Sequence, residues 1–335
     1  MIIDEVAKII SPIYMVGGSI RDSLLGKEPK DYDFATPLCP EEIEKAIRKA
    51  GRKPYLVGKR FGTIGFKVKY KGKFEYVEVT TFRNEKYKDG SRKPEVVFVR
   101  DLSADLSRRD FTINALAQRI DTRKIIDQWE GQKDLKDGII RCVGKPTHRF
   151  KEDPLRMLRA CRFSSALGFS IEEKTFIAMA QLCYKILEVS RERWMQELDK
   201  LLLSDHPEKG LNYLMGSGLL KFMIPELALQ YKYNQNNPHH NFELWEHTIK
   251  VVKACPKDIN MRWSALLHDS GKPFTRRERW IDGKLIKCNY IKHELVSTEI
   301  VKRYANYLHW SNERTETVIN IVLNHMSKES PLFSI

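Results

Sequence analysis

Between Gly17 and Thr36 the chain reads GGSIRDSLLGKEPKDYDFAT, and no other stretch restricts its folding as tightly. The short apolar run Tyr14-Met15-Val16 leads into a glycine pair, a helix-forming run follows, and Tyr32-Asp33-Phe34-Ala35 alternates as a strand does. Gly17-Gly18 lets backbone N–H groups come close to an anion, and Ser19 adds a hydroxyl beside a helix start that favours negative charge. Arg21 is next in line as a direct partner for the same anion. Alternate side chains of a strand share a face, so Asp31 and Asp33 point one way and Tyr32 the other. Two such carboxylates repel unless a cation lies between them, and hard oxygen ligands suit Mg²⁺ brought in with a phosphate-bearing substrate. Alone, an Asp-x-Asp pair is as readily a surface turn and a glycine pair a tight turn. Their combination in one span is what points to phosphoryl transfer with two metal ions.

Composition sets the scale around this span. A chain of 335 residues with 42% hydrophobic content holds two or three ordinary domains. Its 58 Lys+Arg against 44 Asp+Glu give a net charge of +14, which draws a polyanion at low salt and makes nucleic acid the leading partner class. Solubility alone is the other use of such a surface. Six cysteines at 39, 142, 161, 183, 255 and 288 are scattered without metal or redox spacing, so reduced and mostly buried thiols are expected. The first residues lack the basic flank of a targeting segment and no apolar run approaches a membrane span, so a cytoplasmic protein is expected.

The pattern predicts an α+β domain on a mixed sheet over residues 1–140, followed by all-α regions over 141–230 and 231–335. Helices are expected at residues 2–10 and 40–50, and an antiparallel hairpin where Thr63–Tyr70 and Phe74–Thr80 flank Lys71-Gly72-Lys73. Residues 81–94 read as a charged surface loop, and 276–290 as another. The polar, turn-rich stretch at 231–240 marks a boundary.

Three further strings carry polar chemistry. Leu106 to Ala117 (LSRRDFTINALA) joins a polar turn to an expected apolar helix, on which Asp110 and Asn114 share a face as a corner for ribose hydroxyls and phosphates. An N-cap with solvated arginines is the plainer use of the same residues. In EDPLRMLRACRF, Asp153 is the expected N-cap with Pro154 at the first helical position. Arg156, Arg159 and Arg162 then form a ridge that is either solvated, paired with acids or functional. In RERWMQELDKLL, Arg193 and Glu197 stand one turn apart and are expected to pair.

The Gly17–Thr36 span resembles the nucleotidyltransferase motif of the polymerase β superfamily. Its form, GG, RD, LG, then DxD and Thr, is that of class II tRNA nucleotidyltransferases (CCA-adding enzymes) and bacterial poly(A) polymerases. The resemblance runs over about residues 12–205 and continues in order. RRDFTINA implies ribose binding by Asp110 and Asn114 with Arg109 on the triphosphate, and the EDxxR string implies base selection by Asp153 and Arg156 with Arg159 and Arg162. An Asp carboxylate accepts from the exocyclic amine of cytosine or adenine while Arg donates to the neighbouring ring nitrogen, and uracil and guanine present the inverted pattern. The 81–94 loop is similar to one associated with the change from CTP to ATP, with Arg83 as its implied anchor. The activity that the resemblance implies is CCA addition to tRNA from CTP and ATP. Poly(A) polymerase or an enzyme adding only A is the alternative.

Toward the C-terminus, His247, His268-Asp269, His293 and His325 look like an HD phosphohydrolase domain, implying a second divalent metal. Such domains normally supply a last aspartate beyond His325, and none is found before Ile335, which implies a truncated chain or an incomplete site.

Overall fold

The computed structural model describes residues 2–29, 32–70, 72–86, 95–236, 242–327, 330 and 332. Asp31 and residues 87–94 of the 81–94 segment lie outside the described residues. The chain forms two compact units, Met1–Glu152 and Asp153–Ile335.

In the first unit α1 (Ile2–Ile9), β1 (Tyr14–Val16), α2 (Gly18–Leu24), β2 (Asp33–Thr36), α3 (Pro40–Lys49), β3 (Thr63–Tyr70) and β4 (Lys73–Thr81) succeed one another. Then come β5 (Arg83–Lys86), β6 (Glu95–Phe98), α4 (Leu102–Ser107), β7 (Leu116–Arg119), β8 (Ile125–Asp127), α5 (Gly131–Asp137), β9 (Ile139–Ile140) and α6 (Pro146–Glu152). Six strands make one sheet in the order β3-β4-β2-β1-β7-β8, parallel only between β2 and β4, so the expected mixed sheet is present. Strand alternation divides its residues between two faces. Met15, Phe34, Ile64, Phe66, Val68 and Val79 lie on the buried face, where α1 and α3 pack with Val6, Ile43 and Ile47. The other face carries Asp33, Thr63, Gly65, Lys67, Lys69, Phe74, Tyr76, Glu78 and Thr80, as the register fixes. Near β1 this second face is closed by a cluster of Val16, Ala35, Phe82, Leu106 and Ala117.

Three sequence expectations change. Residues 83–86, inside the segment read as loop, form a strand that pairs antiparallel with residues 95–98, Arg83 opposite Phe98. After α4 no apolar helix forms: Thr112–Asn114 make one 3₁₀ turn, and Leu116-Ala117-Gln118-Arg119 is the strand between β1 and β8. A strand slot with partners on both sides outweighs the helical spacing of so short an apolar run. The first unit also runs past residue 140, because Val143 donates its N–H to Asp110 O at 3.1 Å and Arg149 donates to Ser107 O at 2.9 Å.

The second unit contains α7 (Leu155–Leu167), β10 (Ser170–Ile171), α8 (Glu173–Leu182), α9 (Arg191–Leu202), α10 (Pro207–Gly216), α11 (Leu219–Met223) and α12 (Pro225–Ala228). It continues with α13 (Leu244–Ala254), α14 (Ile259–Leu267), α15 (Lys272–Thr275), β11 (Arg277–Ile281), β12 (Lys284–Asn289), α16 (His293–Tyr307) and α17 (Asn312–Leu323). The segment expected to loop at 276–290 is thus a β-hairpin. Asp282 and Gly283 turn it with φ of 48° and 72°, the left-handed pair that favours Asp-Gly between strands. Helix α7 begins one residue later than expected, yet Asp153 still caps it through Oδ1, which accepts the Leu155 N–H at 3.1 Å. No described helix is long and apolar enough to cross a membrane.

Candidate functional site

On the first unit the site begins with a backbone need. Gly17 has φ 66°, and a Cβ there would stand 2.9 Å from Arg109 Nη1 and 3.9 Å from Asp33 Oδ2, so only glycine lets the chain turn between a cation and a carboxylate. Ser19 in α2 is 2% exposed, and its Oγ accepts the Asp33 N–H at 2.8 Å, fixing the start of β2. Asp33 itself is exposed. Its partner across the parallel ladder is Glu78 of β4, which none of the sequence motifs includes. The signal for it lies in the alternation of Phe74-Glu75-Tyr76-Val77-Glu78, which puts Glu78 on the face that holds Asp33. Like charges directly opposite on adjacent strands are unfavourable without a cation. These two carboxylates therefore fit a divalent metal held by oxygen ligands.

Arginines surround the pair. Asp33, Glu78, Thr63, Thr80, Arg83, Asp105, Arg108 and Arg109 line a cavity of about 160 Å³. Asp105, 1% exposed and likewise outside the sequence motifs, organises them: Arg108 Nη2 lies 2.7 Å from its Oδ1 and Arg109 Nη2 3.1 Å from its Oδ2. Burial pushes its carboxyl up, but Arg109 and Arg108 outweigh that and hold it below the ordinary carboxylate value. Arg83 donates from Nη1 to Phe61 O at 2.9 Å, and its own carbonyl accepts from Arg108 Nε at 2.9 Å.

The two motif strings meet through Arg21. Its Nη1 donates to Asn114 Oδ1 at 2.8 Å, and its Nε donates to Asp22 at 2.8 Å. Asn114 Nδ2 in turn donates to Asp110 Oδ1 at 3.1 Å. Asp110 and Asn114 thus come together as expected, but across a 3₁₀ turn and not along a helical face.

The second unit carries its own polar groups. Asp153 Oδ2 accepts from Arg193 Nη2 at 2.8 Å, so Arg193 pairs with Asp153 and not with Glu197 as the spacing suggests. Glu197, 6% exposed, instead takes Arg162 Nε at 2.5 Å and faces Arg159 Nη1 at 3.7 Å. The reason is burial: α9 turns Glu197 inward against α7, where two arginines are at hand, and leaves Arg193 at the surface. Arg156 on α7 is 7% exposed.

The predicted histidines converge. His247 Nε2 and His268 Nε2 lie 3.1 Å apart, as do His293 Nε2 and His325 Nε2 at 3.0 Å. Asp269 stands between, its Oδ2 3.4 Å from His247 and 3.2 Å from His268, its Oδ1 3.2 Å from His293 and 3.5 Å from His325. Nδ1 of His268, His293 and His325 faces the carbonyl of Ala265, Tyr290 and Val322 at 2.8, 2.7 and 2.6 Å. A proton is required on each of those nitrogens, so Nε2 keeps its lone pair and two lone pairs face each other, an arrangement suited to a metal ion. Burial lowers the His268 imidazole below its ordinary value, favouring the neutral ligand form. Burial would raise the Asp269 carboxyl, but His268 and Lys272 hold it well below the usual range. Lys272 Nζ is 2.7 Å from Asp269 Oδ2 and donates to Gln235 Oε1 at 2.9 Å. His247, His268 and Asp269, and likewise Asp269, His293 and His325, offer ligand atoms close enough together to hold a metal ion.

An acidic cleft walled by arginines on a polymerase β-like sheet defines a nucleotidyltransferase fold. Residues 13–141 match the family described as the poly A polymerase head domain, residues 168–230 the probable RNA and SrmB-binding site of polymerase A, and residues 244–332 the HD domain. Over residues 13–141 the chain thus carries a poly A polymerase head domain, and the curated relatives it resembles are CCA-adding enzymes. The CCA-adding enzyme of Lactococcus lactis subsp. lactis is 46% identical over 217 residues, 64% of this chain and 52% of that protein. That of Ligilactobacillus salivarius is 43% identical over 266 residues, covering 77% of this chain and 64% of its relative. The solved Bacillus stearothermophilus CCA-adding enzyme in complex with CTP superposes with TM-score 0.62 at 29% identity, over 99% of this chain and 79% of that one. A tRNA-processing enzyme solved with CTP shares the fold at TM-score 0.66 and 22% identity, over 99% of this chain and 81% of its own. The chain spans about half the length of the Lactococcus relatives it matches.

Proposed function

We propose that this protein adds CCA to tRNA 3′ ends from CTP and ATP without a nucleic-acid template. The observation that carries the reading is Asp33 placed opposite Glu78 on adjacent strands of a cavity walled by Arg108 and Arg109. Asp33, with Glu78 and the neighbouring Asp31, would hold Mg²⁺, which when bound supplies charge for activating the RNA hydroxyl and for the leaving pyrophosphate. The chain's own residues do the rest. Gly17 and Gly18 leave room for the triphosphate, and Arg109 and Arg21 neutralise it. Ser19 acts by placing Asp33, while Asp110 and Asn114 hold the ribose. Asp153 and Arg156 read the base edge, Arg193 orients the Asp153 carboxylate, and Arg159 and Arg162 brace the helix through Glu197. Arg83, tied to Phe61 and Arg108, anchors the segment after it. We read the protein as cytoplasmic.

Incubation with Mg²⁺, CTP, ATP and tRNA lacking CCA tests this: growth by three nucleotides supports it, and failure to incorporate CTP contradicts it. A long A tail made from ATP alone would select poly(A) polymerase or an A-adding enzyme. A second reading rests on the histidine cluster: the C-terminal part binds divalent metal through His247, His268, Asp269, His293 and His325 and hydrolyses phosphoesters. Metal content and phosphatase assays check it separately.

A further inference from the structure

The site face of the sheet does not end at Glu78. Beyond it the β3–β4 register sets Lys67 opposite Tyr76 and Lys69 opposite Phe74, all on the face that holds Asp33. This outer part is open: Phe74 is 61% exposed and Tyr76 51%. Neither Lys67 nor Lys69 is paired with a carboxylate among the described residues. An exposed aromatic ladder in a hairpin ordinarily leaves its rings free to rotate, but Tyr76 is held. A Cβ at Gly65 would stand 2.0 Å from its Oη, 2.4 Å from Cζ and 2.7 Å from Cε2, so the ring lies across the Gly65 backbone. Tyr55 meets the Tyr76 ring at a centroid distance of 5.7 Å and an interplanar angle of 67°, and the Tyr76 hydroxyl donates to Glu78 Oε1 at 3.1 Å. The hydroxyl end of the ring is thus held over Gly65 while half of the residue stays exposed, next to Glu78 of the acidic cavity.

We infer that the outer β3–β4 hairpin is a track for single-stranded RNA, on which the bases just behind the acceptor's 3′ end stack on Tyr76 and Phe74 and their phosphates meet Lys67 and Lys69. Flat aromatic faces interleaved with cations are what unpaired RNA needs, and stacking tolerates any base. Side chains two residues apart on one strand face are spaced by about 7 Å, so each step from Glu78 to Tyr76 to Phe74 accommodates about one extended nucleotide. The track leads the strand's 3′ hydroxyl toward Asp33 and Glu78, and it deepens the transferase reading, on which its direction rests. The side chains are at the surface, so truncating them leaves the core intact.

The test combines fluorescence anisotropy of a short labelled RNA oligonucleotide with steady-state kinetics on the full chain. Phe74→Ala and Tyr76→Leu are expected to weaken oligonucleotide binding and raise the acceptor KM about tenfold each, with the KM for CTP unchanged. Tyr76→Phe keeps the ring and is expected to keep oligonucleotide affinity. Lys67→Ala and Lys69→Ala are each expected to reduce the slope of log affinity against log salt by about 0.7. Variants that bind the oligonucleotide and use the acceptor within twofold of wild type would overturn the track, as would equal competition by blunt duplex RNA. If the wild type transfers no nucleotide yet Phe74→Ala still loses oligonucleotide binding, the track stands and the transferase reading falls.

Discussion

Asp33 is held by its own main chain, whose N–H donates to the buried Ser19 hydroxyl at 2.8 Å. Removing that acceptor leaves a partly buried donor without its partner and loosens the carboxylate that β2 presents. Ser19→Ala is therefore expected to lower kcat about tenfold while leaving the KM for CTP within twofold, in steady-state extension kinetics. Asp33→Ala is expected to lower kcat roughly a thousandfold with tRNA binding retained in a gel-shift assay. Asp105 works through charge. Its folded value lies below the ordinary 3.8, so its stabilising effect is complete above about pH 4 and is lost as pH falls through the folded value. Asp105→Asn, which leaves Arg108 and Arg109 without their buried counter-charge, is expected to cost about 3 kcal/mol at pH 7. The Tm difference from wild type should narrow below pH 4, and an unchanged gap across that range would contradict the assignment.

At the scale of elements, α7 and α9 are joined by Glu197 with Arg162 and Arg159, while the exposed Arg193 reaches Asp153. The two acidic pairings have different expected consequences. Glu197→Ala leaves the partly buried Arg162 and Arg159 without their buried counter-charge and should lower stability by about 2 kcal/mol in urea unfolding. Arg193→Ala removes a surface pair and should change stability by less than about 1 kcal/mol, yet relax rejection of UTP and GTP in single-turnover assays. Which acid meets which arginine is not legible from spacing, because positions 193 and 197 are one turn apart on any helix and only burial decides between them. Periodicity does reveal α1, α3 and the β3–β4 hairpin, each long enough for its pattern to be unambiguous. It fails at Leu116–Arg119 and at β11–β12, where short strands are defined by partners far along the chain or by an Asp-Gly turn inside a charged, loop-like stretch. Asp33, Asp110, Asn114 and the five HD residues are visible in the sequence, whereas alternation gives only the strand face of Glu78, and its place opposite Asp33, like that of Asp105 beneath Arg108 and Arg109, emerges once the elements pack.

On the scale of the whole molecule, two groups of candidate ligands occupy separate units: the carboxylates of Asp33 and Glu78 in the first, four histidines around Asp269 in the second. On the proposed reading the carboxylate oxygens would hold Mg²⁺ and the imidazoles a transition metal. His268→Ala is expected to deplete the tightly bound divalent metal measured by plasma mass spectrometry, while nucleotidyl transfer in Mg²⁺ buffer stays within twofold of wild type. The net charge of +14 adds that tRNA affinity should fall steeply with salt. The most direct measurement of the central claim is the mass of tRNA lacking CCA after incubation with wild type and with Asp33→Ala in Mg²⁺, CTP and ATP. Addition of two cytidylates and one adenylate by the wild type alone is the predicted result. An unchanged mass with the wild type, or equal growth with Asp33→Ala, would contradict it.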